Sequence, residues 1–290
     1  MRPSSIAAVL LAQSAILACG DGRPTEGQPP SRTATKAAAT KRATPEVPDV
    51  PTGTVVGTVR VRGDVPPDPA FARRFEGAVR RPDGCRALTD EERRPVHVGA
   101  DGRTGDVLVT ATFSSKLRVA PPVRRNRPIV IRDCRMTPRI VAASRGDTLV
   151  IRNEDEYPFV PRVNPIAMGF MQALMQGQSR RIELDRGGVF EADCGFGAAC
   201  GVSSVVVLYH GIHATTDRDG RFRVDGVPAD VDVEMHAWHP ALRESSRSVR
   251  VSRGGTTTAD FVLEPQPVRP QPAEPDAGGG HPEDQPGTVF

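Results

Sequence analysis

Cys194 and Cys200 stand on either side of a five-residue loop in EADCGFGAAC (residues 191–200), just ahead of the apolar run VSSVVVLYHG. Thiols so placed serve one of three chemistries: metal ligation, nucleophilic catalysis or a disulfide. The other candidate donors are Cys85 and Cys134, six histidines and a methionine stripe. His210 and His213 flank Gly211 and Ile212, and His236 and His239 flank Ala237 and Trp238. On an extended strand an offset of three sends the two members of each pair to opposite faces, so neither pair chelates alone. One histidine of each pair could meet the other across neighbouring strands, where opposed residues lie about 5 Å apart. The plainer expectation is one histidine bonded to a backbone carbonyl under Trp238 and the others solvated, with His97 isolated and exposed. Met168, Met171 and Met175 share one helical face, a geometry that suits thioether ligation of Cu(I) or, more commonly, gap-filling packing.

Other patterns are better explained by turns. Arg145-Gly146-Asp147 spells an adhesion tripeptide but precedes a strand, and Asp217 and Asp219 lack the glutamate and spacing of a twelve-residue calcium loop. A hairpin turn at RDGRF (218–222) accounts for the second. No nucleophile-elbow, zincin or phosphate-loop pattern is present, so the chain is expected not to be an enzyme.

These residues must be positioned by strands. TVVGTVRVRG, DVLVTATFSS, RPIVIRDC, DTLVIRNED, SRRIELDRGG, SSVVVLYHG, GRFRVDGV, VDVEMHAWH and TTADFVLEP alternate apolar with polar residues or form short Val-rich runs. Gly, Pro and Asp clusters separate them, which predicts an all-β sandwich with Trp238 in its core. Short helices are expected around PAFARRFEGAV and MGFMQALMQ. The composition agrees: 28 Gly and 28 Pro in 290 residues favour turns, and 38% apolar content is enough for an aliphatic core. With 38 basic against 35 acidic residues and no basic block among aromatics, nucleic acid is not an expected partner.

The N-terminus carries a short apolar stretch, IAAVLLAQSAILA, closed by Cys19 directly after a small residue. It resembles a bacterial lipoprotein signal with its lipobox, which implies cleavage before Cys19, thioether lipidation there and acylation of the new amine, palmitate included. Lipidation at Cys19 would hold the mature chain to a membrane outside the cytoplasm, the outer one more than the inner if the cell has both. Residues 1–18 are then the signal peptide. Residues 19–51 are too polar to offset their ordering entropy and read as a disordered tether; 265–290, rich in Pro and Gly, read as a disordered tail.

The order of the remaining pieces resembles exported cupredoxin-like proteins that also carry carboxypeptidase-regulatory-like strands. The resemblance runs through GTVVGTVRVRGDVPPD, RGDTLVIRNEDE, NPIAMGF, the cysteine loop, SSVVVLYHG and TTDRDGRFRVDGVPADVDVEMHAWHPAL. It implies a cupredoxin-like Greek-key sandwich over 99–209 combined with a regulatory-like (transthyretin-like) sandwich. The second is formed from a first strand and lead-in segment at 52–98 and from strands over 210–264. In copper-binding members a His follows the Asn-x-Asp turn and a later loop supplies Cys, His and Met. Here those positions fall on Phe159 and Arg162, then Cys194, Gly197 or Ala198, and Cys200. The implied fold therefore comes without its copper donors, and no cofactor is expected. Copper held by Cys194, Cys200, His210, His213, His236, His239, Met168, Met171 or Met175 is the alternative.

Export bears on the opening cysteines. Thiols outside the cytoplasm tend to be oxidised, and removing Cys19 leaves four of the five. Cys194 with Cys200, and Cys85 with Cys134, are the expected disulfides; a cysteine metal site or a reactive thiol stays open as the alternative. The function expected is a lipid-anchored envelope protein that binds or scaffolds a protein or glycan partner.

Overall fold

A computed structural model describes residues 50–76, 84–164 and 172–267. Cys19, Met168 and Met171, the signal and the tether up to residue 49 lie outside them. So does most of the tail. The described residues belong to one compact unit, Val47–Phe290. They form seventeen strands, one helix and a single 3₁₀ turn, with four sheets stacked as two sandwiches.

In the first sandwich β1 (Thr52–Val61) is central, antiparallel to β12 (Arg221–Pro228) and parallel to β16 (Thr256–Thr258) and β17 (Phe261–Pro265); β14 (Leu242–Arg243) follows β17. Period-two burial explains β1: Val55, Val59 and Val61 point inward. Gly57 is required there because a Cβ would come within 2.0 Å of the Ala259 carbonyl oxygen. The facing sheet runs β11 (His213–Thr215), β2 (Leu108–Thr112), β13 (Asp232–Trp238), β15 (Ser245–Arg250). Val109, Ala111, Val233, Met235 and Ala237 close the core from that side.

In the second sandwich β4 (Arg135–Thr137), β3 (Asn126–Arg132), β6 (Thr148–Asn153) and β8 (Ser179–Glu183) form one sheet. The other has the order β5 (Ile140–Ser144), β10 (Ser203–Leu208), β9 (Gly188–Cys194), β7 (Pro161–Asn164). Ile129, Ile131, Leu149 and Ile151 meet Val141, Ala143, Val205 and Val207 in the core between them.

All five residues of β5 are buried. The reason is that its second face is also covered: Ile140 and Ala142, with Val206, pack on Leu108 and Trp238 of the first sandwich. A strand buried on both faces has no polar side to alternate with, which is why IVAAS gives no period-two signal.

The structure departs from the expectations at three places. Leu108–Thr112 pairs with β11 and β13, so it belongs to the first sandwich although it lies in the 99–209 segment. The helix expected around MGFMQALMQ is absent from its described part, where Leu174 bridges Phe159 as an extended residue. Trp238 sits half-buried in the seam between the sandwiches, because it occupies the outward face of β13. The other expected helix is α1 (Pro69–Glu76), which Asp68 caps by accepting the Ala70 N–H at 2.8 Å.

Candidate functional site

The positions at which the resemblance expects copper ligands come together at one end of the second sandwich. Asn153 is fully buried there. Its Nδ2 donates to the Tyr157 and Leu174 carbonyls at 2.6 and 2.8 Å, and its Oδ1 accepts the Asp155 N–H at 2.9 Å. That bonding fixes the Asn-x-Asp turn and brings the chain to Phe159, 1% exposed, in the core where an imidazole was expected. Asp155 in turn accepts the Asp133 and Cys134 N–H groups at 2.8 and 2.7 Å. Cys134 is disulfide-bonded to Cys85 with 5.5 Å between Cα atoms.

Arg162 lies directly across from Asp193 on the β7–β9 ladder, and its Nε and Nη2 donate to the two carboxylate oxygens at 2.6 and 3.0 Å. From the other side Arg74 of α1 reaches Glu191 at 2.5 Å and Asp193 at 3.4 Å. The bond to Glu191 raises the Arg74 pKa, and the bond to Asp193 raises that of Arg162. Two arginines and two carboxylates thus satisfy one another where a second imidazole was expected.

Cys194 is 5% exposed and Cys200 fully buried; they form a disulfide with 6.0 Å between Cα atoms. The loop they close makes the 3₁₀ turn Gly195–Gly197 and holds Phe196 in the left-handed region, φ 58° and ψ 24°, with its ring 66% exposed. Met175 is exposed and lies on no helix. Among the described residues no group of three or more His, Cys, Asp or Glu side chains is placed to hold a metal ion.

The histidines divide differently from the expectation. His213 and His236 both stand opposite Thr110, one on each flanking strand, so they share the outward face of their sheet with Thr110 between them. His213 places Nε2 3.0 Å from Ser144 Oγ across the seam, and its Nδ1 has no hydrogen-bond partner among the described residues. Burial pushes its pKa down to about 4, with Arg127 adding to the effect. Ser144 is itself 1% exposed and its Oγ also lies 3.2 Å from the His210 carbonyl. The nearest acid, Asp147, is engaged elsewhere: it accepts the Ser144 and Arg125 N–H groups at 2.9 and 2.8 Å and Arg127 Nε at 2.6 Å. Burial works against its charge, yet those donors hold its carboxyl below the usual range. A serine–histidine pair with no carboxylate on Nδ1 lacks the orienting member of a nucleophile triad. Asp147 also shows why RGD is a turn here: Gly146 has φ 93° and Asp147 closes the bend. Asp217 does the same at the hairpin, accepting the Asp219 and Arg221 N–H groups at 2.9 and 2.8 Å.

His236 bonds Glu244 through Nδ1 at 2.6 Å and leaves a buried Nε2 without a hydrogen-bond partner among the described residues. His97 pairs with Glu91 rather than standing alone. His210 packs its ring 5.3 Å from Phe113 and accepts the Ile212 N–H at 3.2 Å. His239, just past β13, is 2% exposed; its Nδ1 accepts the Ala241 N–H at 3.1 Å, so it bonds an N–H and not the expected carbonyl. Arg139 lies close enough for its charge to act on that ring. Sequence reasoning missed Arg139 and Ser144, since nothing in PRIVAAS marks either as polar groups of a seam.

No protein-family profile and no curated protein sequence matches the chain. Among solved structures it is similar to a purple cupredoxin from Nitrosopumilus maritimus, with 18% identity over 28% of this chain and 98% of that one at a TM-score of 0.25. Amicyanin from Paracoccus versutus has 17% identity over 34% of this chain and 97% of its own, also at a TM-score of 0.25. A copper-containing nitrite reductase from Thermus scotoductus has 14% identity over 33% of this chain and 24% of its own, again at 0.25. A TM-score of that size establishes no family membership; the two-sandwich architecture stands on strand pairing.

Proposed function

We propose that the chain is a lipid-anchored, extracytoplasmic β-sandwich protein that binds or scaffolds a protein or glycan partner in the cell envelope, cupredoxin-like in framework and without a blue-copper centre. The observation that carries this reading is the Cys194–Cys200 disulfide. A blue-copper site takes a thiolate, two imidazoles and a weak axial ligand. The Cys194 sulfur, bonded to Cys200, has no thiolate to give, and neither Phe159, the ion-paired Arg162, Gly197 nor Ala198 offers a neutral nitrogen. Two disulfides suit an oxidising compartment. Cys19 would supply the anchor.

Copper handling is the second reading. It is favoured by one observation, the unpartnered His213 Nδ1 and His236 Nε2 on one face of a sheet. Loading the purified protein with Cu(II) separates the two. The expected outcome is a colourless, copper-free protein after dialysis, with no alkylatable thiol under denaturing conditions without reductant. A stable blue species that vanishes in Cys194→Ser overturns the proposal, and colourless copper lost in His213→Ala or His236→Ala replaces it with the second reading.

A further inference from the structure

A cavity of about 880 Å³ opens between α1, the β5–β10 edge and the chain leaving β13 and β17. Its size is that of a small-molecule site. Much of its wall is apolar, including Val65, Phe71, Ile140 and Val202. The charged side chains lining it are Arg73, Arg74 and Arg139 against Asp68 and Glu191, a cationic balance.

Two of the polar groups are fixed from behind. Arg139 donates Nη1 to the Arg94 carbonyl at 2.7 Å and Nη2 to the Glu92 carbonyl at 2.9 Å, and lies 4.9 Å from the centre of the Phe71 ring. Those carbonyls take two of its N–H groups and carry no net charge; among the described residues no carboxylate is within ion-pair distance, although Asp106, Glu92 and Glu91 lie near enough for their charge to act on it. His239 also lines the cavity and is 2% exposed. Its Nδ1 accepts the Ala241 N–H, which assigns the ring proton of the neutral imidazole to Nε2. That Nε2–H makes no hydrogen bond to a described residue and is not among the atoms sealed from solvent, so water takes it until a ligand that accepts from it replaces the water. Burial and Arg139 push the His239 pKa down to about 3, so the ring stays neutral and keeps the arrangement at ordinary pH.

We propose that this cavity binds a small organic anion, a carboxylate on an apolar body, with the carboxylate accepting from His239 Nε2 in the field of Arg139 and the body against Phe71, Val65, Ile140 and Val202. The carboxylate satisfies both polar groups at once. A neutral alcohol meets only the donor, and an ammonium is repelled. This inference rests on the reading of the chain as a binding protein; copper loading tests that reading at Cys194 and the seam histidines, none of which lines the cavity, so the two can fail separately.

Equilibrium dialysis of the full chain against octanoate, octanol and octylammonium, which share one apolar body, tests it. Saturable octanoate binding is expected, with octanol about tenfold weaker, equivalent to ~1.4 kcal/mol, and octylammonium weaker still. His239→Asn keeps an acceptor for the Ala241 N–H and removes the Nε2–H; it should weaken octanoate about tenfold and octanol by a smaller factor, because a donor bonds a carboxylate more strongly than a neutral hydroxyl. Absent octanoate binding, equal binding of octanoate and octylammonium, or an unchanged octanoate affinity in folded His239→Asn each overturns the proposal. Should that variant not fold, the three-ligand series on the unaltered protein decides.

Discussion

His239 and His213 bury neutral imidazoles, and that has a thermodynamic consequence. Their folded pKa values are about 3 and about 4, against an ordinary 6.5 that the unfolded chain retains. Between those limits the unfolded state binds more protons, so stability is fully present above pH 6.5 and is lost as pH falls toward the folded values. Each histidine contributes at most about 1.4 kcal/mol per pH unit in that window. Glu92, held down to about 2 chiefly by its bond to Arg86, acts lower: its stabilisation is present above its ordinary 4.5 and is lost only below it. Urea midpoints measured between pH 7.5 and 4.5 should therefore fall with pH, and His239→Gln should flatten the slope. A midpoint independent of pH across that window would show that neither imidazole is buried neutral.

At the scale of elements, each disulfide fastens a segment that strand pairing does not. Cys85–Cys134 ties the stretch after α1 to the turn between β3 and β4 across 49 positions, whereas Cys194–Cys200 closes 6. Loop-closure entropy grows with the length closed, which gives about 4 kcal/mol for the long bridge and about 2 kcal/mol for the short one. Replacing Cys85 and Cys134 by Ala should thus lower the unfolding free energy more than replacing Cys194 and Cys200. The reverse order in denaturant titrations would assign the short bridge a larger share of the packing at Phe159 and Met136, whose N–H bonds the Cys200 carbonyl at 2.8 Å. The pairings themselves were legible in the sequence, because an even cysteine count in a chain expected to be exported leaves few arrangements. The Arg74–Glu191–Asp193–Arg162 network was not, since Arg74 joins it from more than a hundred positions away.

For the whole molecule, the seam of Leu108, Ile140, Ala142, Val206 and Trp238 joins two sandwiches into one unit, with the second inserted between strands of the first. None of the described helices is long and apolar enough to cross a membrane. Membrane attachment is assigned in the proposed function to Cys19. Cys19→Ser is expected to shift the protein into the soluble fraction or to leave an unprocessed precursor, read by fractionation and by mass. A variant that stays acylated and membrane-bound would remove lipidation at Cys19 from the proposal.

What the sequence determined alone was local chemistry. Alternation marked β1, β3, β6, β12 and β13, because a strand with one buried face must alternate. The donor types at Phe159, Arg162 and Ala198 argued against a blue-copper centre before any coordinate was known, since ligation belongs to the atoms a residue carries. What only the tertiary structure decided was which faces meet. β5 carries no alternation because the second sandwich covers one side of it and the first sandwich the other. Trp238 is half-buried for the same reason: it faces that seam and not the core of its own sheet. Arg139 is unmarked in sequence and His239 is marked there only as a candidate metal donor; the two acquire a shared cavity only when α1, β5 and the end of β13 converge. Such convergence is a property of non-local packing, which no short window of residues encodes.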